Sequence, residues 1–152
     1  MAELPSGRTA EIGNDETVSH FVFGSRKWNH FTAFYPDHRK IPVTLSIFRI
    51  DGMKETEIWS IGVSVWETRR EKGDAASLQG RADLKAAMIR EQGLEITASE
   101  PPPHHGNIVQ WLPFAVSEDS KETAKAAKEA WQLAVTAFAR NAQWTSFEQS
   151  SS

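Results

Sequence analysis

The chain has 152 residues, of which 39% are hydrophobic and 24% are charged, and its net charge is −3. A chain of this length and composition is expected to form one domain that buries about 70% of the surface exposed by its unfolded form. The absence of cysteine excludes disulfides, thiolate catalysis and cysteine-based metal centres. The slight acidity argues against a dedicated nucleic-acid-binding domain, which is usually basic.

No stretch of the sequence is apolar and long enough to predict a membrane span or a secretion signal. The longest apolar run, Trp111 to Val116, contains Pro113 and is far shorter than the about 20 residues that a spanning helix needs. The segment from Met1 to Val18 is polar and acidic and lacks the apolar core of a signal peptide. These features predict a cytoplasmic protein with no membrane partner.

The N-terminal segment and the tail differ in composition from the rest of the chain. Residues 1–17 are rich in Gly, Pro and polar side chains and predict a flexible arm. A single globular domain is then expected over residues 18–147, followed by a disordered tail over residues 148–152.

Alternating polarity predicts strands in the first half of the domain. Residues 18–23 and 43–50 both alternate, and the second segment is the clearest strand pattern of the chain. A short helix over residues 54–61 with Gly62 as its C-cap would leave a further strand after it. One continuous helix as far as Arg70 fits the apolar spacing equally well, so both alternatives stay open.

The second half predicts further helices and strands. Asp83 is an N-cap candidate for a helix over residues 84–92, with strands expected over residues 94–98 and 107–111. A capping-box-like start at Asp119 and an apolar stripe predict a long C-terminal helix. The stripe consists of Ala127, Trp131, Ala134, Val135 and Phe138. The predicted fold class is α+β, a small and mostly antiparallel sheet flanked by two or three helices, with the C-terminal helix packed on it.

Arg81 is the leading candidate for an anion-binding residue. Gly80 leaves its backbone uncrowded, and the guanidinium offers a planar fork of donors. The helix predicted behind Asp83 would add free N–H groups and positive potential. In the structural alternative, Asp83 caps that helix and Arg81 pairs with an acid such as Glu95 or Glu100.

His104 and His105 are the candidate metal ligands. Adjacent residues on extended backbone point to opposite sides, and the pair lacks the ligand spacing of known zinc sites. We therefore predict no metal and no cofactor, with one histidine bound to backbone and the other solvated.

The segment from Arg26 to Lys40 mixes basic and aromatic side chains, among them Trp28. Phosphate-pairing charges beside rings that can stack on bases are typical of surfaces that bind single-stranded nucleic acid. In the structural alternative, Phe31 and Phe34 belong to the core under a long loop.

Three segments, taken in chain order, resemble a group of short uncharacterised bacterial proteins. They are Leu-Ser-Ile-Phe-Arg at 45–49, Gly-Arg-Ala-Asp-Leu at 80–84 and His-Gly-Asn-Ile at 105–108, the last followed by Trp111 and Pro113. The match runs from about Phe21 to Ala134, and it departs from the group at residues 110–113, where Gly-Trp-Pro is expected. The group has no established activity, so the resemblance implies a bacterial or phage setting and no catalytic role.

The sequence leaves two classes of function open. The first is a small binding or accessory protein, linked to a mobile element, toxin or defence system, that acts through a protein partner or through nucleic acid at the Arg26–Lys40 loop. The second is a metal-free enzyme acting on a nucleotide or other phosphorylated substrate, with arginines holding the anionic groups and His105 or His104 as acid–base. The predicted binding residues are Arg26, Trp28, Arg49, Arg81, His105, Asn107 and Trp111. Convergence of Arg49, Arg81, Asn107 and His105 on one pocket would favour the enzyme, and scatter would favour the binding protein.

Overall fold

The computed structural model describes residues 3–24, 33–37, 42–111 and 120–147, with α3 side chains at 125–126 and 129–141. These residues form six strands and three helices. The strands are β1 (Thr17–Gly24), β2 (Leu45–Arg49), β3 (Ser77–Lys85), β4 (Glu95–Ala98), β5 (His105–Val109) and β6 (Gln143–Ser146). The helices are α1 (Glu55–Glu71), α2 (Ala86–Glu91) and α3 (Ser120–Asn141).

All six strands pair antiparallel in one sheet with the order β4-β5-β2-β1-β3-β6. Since β2 and β3 both flank β1, the connection through α1 crosses β1. The connection through α3 carries the chain from β5, next to one edge, to β6 at the other edge. The predicted α+β class, with an antiparallel sheet and a long C-terminal helix on it, is confirmed.

Both faces of the sheet are covered. Ile47 and Phe48 are neighbours on β2 and therefore point to opposite faces, yet they are 1% and 4% exposed. Phe48 belongs to a cluster that includes Ile58 of α1. Ile47 belongs to a larger cluster with Ile89 of α2 and with Trp131, Val135 and Phe138 of α3. The apolar stripe predicted for the C-terminal helix is therefore confirmed at Trp131, Val135 and Phe138.

The segment after β2 is one continuous helix, α1, so the alternative with a C-cap at Gly62 and a following strand is wrong. Gly62 lies in the helix interior and faces the sheet. A Cβ atom built there would lie 2.7 Å from Cε1 of Phe21, so packing against β1 requires a glycine. The cost of an interior helical glycine, about 0.5–1 kcal/mol, is offset by this close approach of α1 to the sheet.

The predicted N-cap at Asp83 is also wrong. Asp83 lies inside β3 opposite Ser19 of β1, and α2 begins three residues later, at Ala86. Residues 77–79 are part of the same strand. Every residue of β1 has a partner on β3, and this ladder outweighs the local preference of aspartate for a cap.

Residues 3–16 lie against the domain, instead of forming the flexible arm expected from composition. Ile12 is 4% exposed and belongs to the larger core cluster, and its carbonyl accepts a hydrogen bond from Arg90 at 2.6 Å. The polar residues after α3 form β6 at the sheet edge, which the sequence analysis did not predict. The predicted tail, residues 148–152, lies outside the described residues.

Candidate functional site

A groove of about 820 Å³ separates α1 from the loop that joins β4 to β5. Its apolar walls come from Phe48 of β2 and from Ile61 and Val65 of α1. Polar side chains also line it: Ser46, Ser60, Ser64, Thr68, Arg69, Lys72, Asp74, His104 and His105. The groove is therefore an amphipathic cleft on the face of the sheet that carries α1.

A row of polar residues crosses the sheet beside this groove. Ser46 of β2 is the direct partner of Asn107 on β5, and Asn107 is the direct partner of Thr97 on β4. Ser46 shares the face of Phe48, which packs towards α1, because residues two apart on a strand point the same way. Ser46 and Thr97 are exposed, so this part of the sheet is a polar surface open to a ligand.

Ser46 and His105 are joined by a short hydrogen bond in the groove. Ser46 Oγ lies 2.6 Å from His105 Nε2, and His105 Nδ1 lies 2.8 Å from the carbonyl oxygen of Ser99. A carbonyl oxygen only accepts, so Nδ1 of His105 carries a proton. In the neutral ring Nε2 is then the acceptor, and the Ser46 hydroxyl donates to it.

His104 also lines the groove, but its backbone is left-handed, with a φ of 70°, and its ring is held by a different partner. Its Nδ1 accepts a hydrogen bond from Arg8 Nε at 2.8 Å. Partial burial, followed by the positive charge of Arg8, lowers the pKa of His104. Within the described residues, no group of three or more His, Asp or Glu side chains is arranged to hold a metal ion.

Arg49 lies on the opposite face of the sheet from the groove. Its side chain is 2% exposed, and its Nε and Nη2 donate to the two carboxylate oxygens of Glu16 at 2.8 Å each. Its Nη1 donates to the carbonyl of Thr9 at 2.6 Å. The guanidinium therefore fastens residues 9–16 to β2.

Arg81 sits in β3 and contacts Glu55, the first residue of α1, and the helix cap predicted behind it at Asp83 is a strand residue. Its Nη1 and Nη2 donate to the carboxylate of Glu55 at 2.9 and 2.6 Å, and its Nε faces Asp83 at 3.3 Å. The guanidinium also lies 4.8 Å from the ring centroid of Trp59. The hydrogen bonds from Arg81 lower the pKa of Glu55, whereas burial raises the pKa of Asp83.

We expect Arg81→Lys to lower the free energy of unfolding by about 1–2 kcal/mol, because lysine cannot make the two-pronged contact to Glu55. This expected loss of stability lies at the lower end of the range for a charged hydrogen bond, because Glu55 is 65% exposed and water screens the pair. Denaturant unfolding measures the change, with Arg140→Lys on the exposed surface of α3 as the matched control. A variant as stable as the wild type would show that Arg81 does not stabilise the fold through Glu55.

The structure brings together two of the residues predicted for binding. His105 lines the groove and Asn107 lies on the same face of β5. Trp111 is 4% exposed and packs at 5.4 Å, edge to face, against Trp131 in the core. Arg26 and Trp28 lie outside the described residues.

Sequence reasoning missed the contact between Ser46 and His105. Alternation on β2 placed Ser46 and Phe48 on one face, but the partner of Ser46 lies 59 residues further on. A periodic pattern does not reveal the register between distant strands, so no signal in the sequence alone identified the pair.

No known family model matches the chain, and no curated protein or solved structure is significantly similar to it. No helix within the described ranges is both long and apolar enough to cross a membrane. The function is therefore inferred from the groove and its residues.

Proposed function

We propose that this protein is a small binding or accessory protein that holds a segment of a protein partner in the groove between α1 and the β4–β5 loop. The observation that carries the proposal is the groove itself, about 820 Å³ with apolar and polar walls. Volumes of about 300–1,000 Å³ with a few converging polar groups are usual for binding sites. Arg49 and Arg81 are engaged elsewhere in ion pairs, and this scatter favours binding over the enzyme.

The chemistry of the groove favours a peptide segment over nucleic acid. Phe48, Ile61 and Val65 offer an apolar surface to an inserted side chain. The positive charge of Arg69 is paired with Asp74 at 2.7 Å, which leaves Lys72 as the other cation of the groove, whereas binding to phosphates draws on several lysines and arginines. A segment with one or two apolar side chains and exposed backbone polar groups would complement both walls of the groove. Its apolar side chains would contact the apolar wall, and its polar groups would face the hydroxyls of Ser60, Ser64 and Thr68 on α1.

A bacterial or phage setting, with a place in a mobile element, toxin or defence system, belongs to the same proposal. It is supported by the three segments that resemble short bacterial proteins, of which two contribute residues to this site: Ser46 and Phe48 from the first, His105 and Asn107 from the third.

The alternative is an enzyme acting on a nucleotide or other phosphorylated substrate, and His105 in the groove is the observation that favours it. Arg49 is held by Glu16 and Arg81 by Glu55. Each arginine would have to give up its ion pair to hold a phosphate, which makes this alternative the weaker of the two.

Affinity capture from a bacterial lysate tests the binding proposal by comparing the wild type with a variant whose groove is blocked. Ser64 is exposed on α1 and lines the groove, so Ser64→Trp fills it without burying a new group in the core. We expect this variant to lose a captured protein at least about tenfold, equivalent to about 1.4 kcal/mol.

The matched control is Gln132→Trp, which adds the same side chain to the exposed surface of α3. This variant should retain the partner at the wild-type level. Equal capture by the wild type and Ser64→Trp would rule out the groove as the docking site. Nucleic acid retained by all three proteins would instead favour a surface away from the groove.

A further inference from the structure

We propose that Ser46 is the nucleophile of an acyl-transfer site, with His105 as its general base and a small carboxylic ester as its class of substrate. The geometry that assigns these roles is the Ser46 Oγ to His105 Nε2 contact of 2.6 Å, with Nδ1 of His105 held by Ser99 O at 2.8 Å. The inference goes beyond partner binding, because it assigns a covalent reaction to the same groove.

The hydrogen bonds of His105 match the requirements of an activated serine. A serine hydroxyl is a weak nucleophile until an adjacent base removes its proton, and the base must present an unprotonated nitrogen to it. The Ser99 carbonyl keeps the proton on Nδ1 of His105 and fixes the ring orientation. A buried carboxylate holds the tautomer and orientation of the histidine in the same way in serine hydrolases of the Ser-His-Asp type, and there it also stabilises the imidazolium by its charge.

The surroundings of Ser46 leave space for a substrate. Ser46 is exposed, and the groove in front of it continues to Ile61 and Val65 of α1. A short acyl chain can lie against these apolar side chains while its carbonyl carbon faces Oγ of Ser46. The ring of His105 also packs edge to face on Phe48 at 5.2 Å, which restricts its rotation away from Ser46.

The reaction proceeds in two balanced steps. Ser46 Oγ attacks the ester carbonyl carbon, His105 Nε2 takes the hydroxyl proton, and the alkoxide leaves with that proton as the free alcohol. Water then gives a proton to His105 Nε2 and attacks the acyl carbon, and the Ser46 oxygen leaves and recovers the proton. The products are one alcohol and one carboxylic acid, and the enzyme is restored.

Asn107 is placed to stabilise the negative charge that develops on the carbonyl oxygen. It is the direct cross-strand partner of Ser46, and Cβ atoms of such partners lie about 4.5–5.5 Å apart. A side-chain amide at this distance is one of the donor types that form oxyanion holes. Asn107→Leu removes the donor and keeps a similar volume.

Incubation of the purified protein with p-nitrophenyl butyrate tests the proposal, with release of p-nitrophenol and intact mass as the two measurements. We expect one butyryl group per chain, mapped to Ser46 by peptide mass spectrometry, and no adduct in Ser46→Ala. His105→Gln should slow acylation by about 100-fold or more, the usual contribution of a general base. Asn107→Leu should slow it by a comparable factor.

Ser146→Ala is the matched control, because it removes an exposed hydroxyl from β6 at the far edge of the sheet and should leave the rate unchanged. Equal melting temperatures of Ser46→Ala and the wild type will show that the fold is intact. A wild-type protein that neither carries the butyryl group nor releases p-nitrophenol faster than Ser46→Ala, or a Ser46→Ala variant labelled like the wild type, would overturn the proposal. Capture of a partner that Ser64→Trp abolishes would leave the binding proposal standing in either case.

Discussion

Replacing Trp131 with alanine is expected to lower the free energy of unfolding by about 3–5 kcal/mol, the usual cost of deleting a large buried aromatic side chain. Trp131 is 4% exposed and packs edge to face on Trp111. Together with Val135 and Phe138, it attaches α3 to the sheet. Truncation leaves a cavity between the helix and the strands that the close-packed core cannot refill.

Leu133→Ala is the matched control, since Leu133 is two residues away on the same helix and is 84% exposed. This variant should stay within about 0.5 kcal/mol of the wild type. Urea unfolding measures the stability of both variants. It is followed by far-ultraviolet circular dichroism of the backbone, because Trp131→Ala removes a fluorescent tryptophan. A loss below about 1 kcal/mol for Trp131→Ala would fall outside the cost of a core aromatic and would mean that α3 packs through other residues.

Glu16→Ala is expected to cost about 3–5 kcal/mol, because it leaves a buried arginine without its counter-charge. Arg49 is 2% exposed, and both oxygens of Glu16 accept hydrogen bonds from it at 2.8 Å. The remaining acceptors, the carbonyls of Thr9 and Glu11, do not neutralise the charge. Residues 3–16 should then detach from the sheet.

Glu11→Ala is the control for this pair, because Glu11 is exposed and contributes its backbone carbonyl, which the substitution keeps. The double variant Glu16→Ala with Arg49→Met should regain part of the lost stability, since the unpaired charge is gone. Equal losses in the single and double variants would contradict the explanation by an uncompensated charge.

The same ion pair predicts the direction of a pH effect. Burial acts to raise the pKa of Glu16, but the hydrogen bonds from Arg49 and Gly13 and the charge of Arg49 outweigh it, so the pKa lies below its ordinary value. A carboxyl with a lowered folded-state pKa stabilises the fold above its unfolded pKa, about 4.3 for glutamate, and loses that contribution as the pH falls through the folded pKa. The stability difference between the wild type and Glu16→Gln should therefore be constant above about pH 5 and shrink below about pH 4. A difference that grows on acidification would contradict a lowered pKa.

Local patterns in the sequence were sufficient for several elements. The apolar stripe through Trp131 and Phe138 predicted the long C-terminal helix, and alternation over residues 43–50 predicted β2. Both patterns work because the side-chain period of a helix or a strand is a property of a single segment. His105 and Asn107 share a face because they lie two residues apart on β5, although the predicted strand began at residue 107 and left His105 out.

The tertiary structure decided what depends on a distant partner. Asp83 has the side chain of a helix cap, but the ladder with β1 makes it a strand residue. Arg81 pairs with Glu55 of α1 and with Asp83, whereas the predicted partners Glu95 and Glu100 bond to Arg90 and Ser6. Ser46 meets His105 only through the register of β2 and β5. By itself, the sequence determined which segments form helices or strands where one periodicity dominated, because that preference is local. The structure determined caps, ion pairs and the candidate site, because each requires the free energy of contacts between segments far apart in the chain.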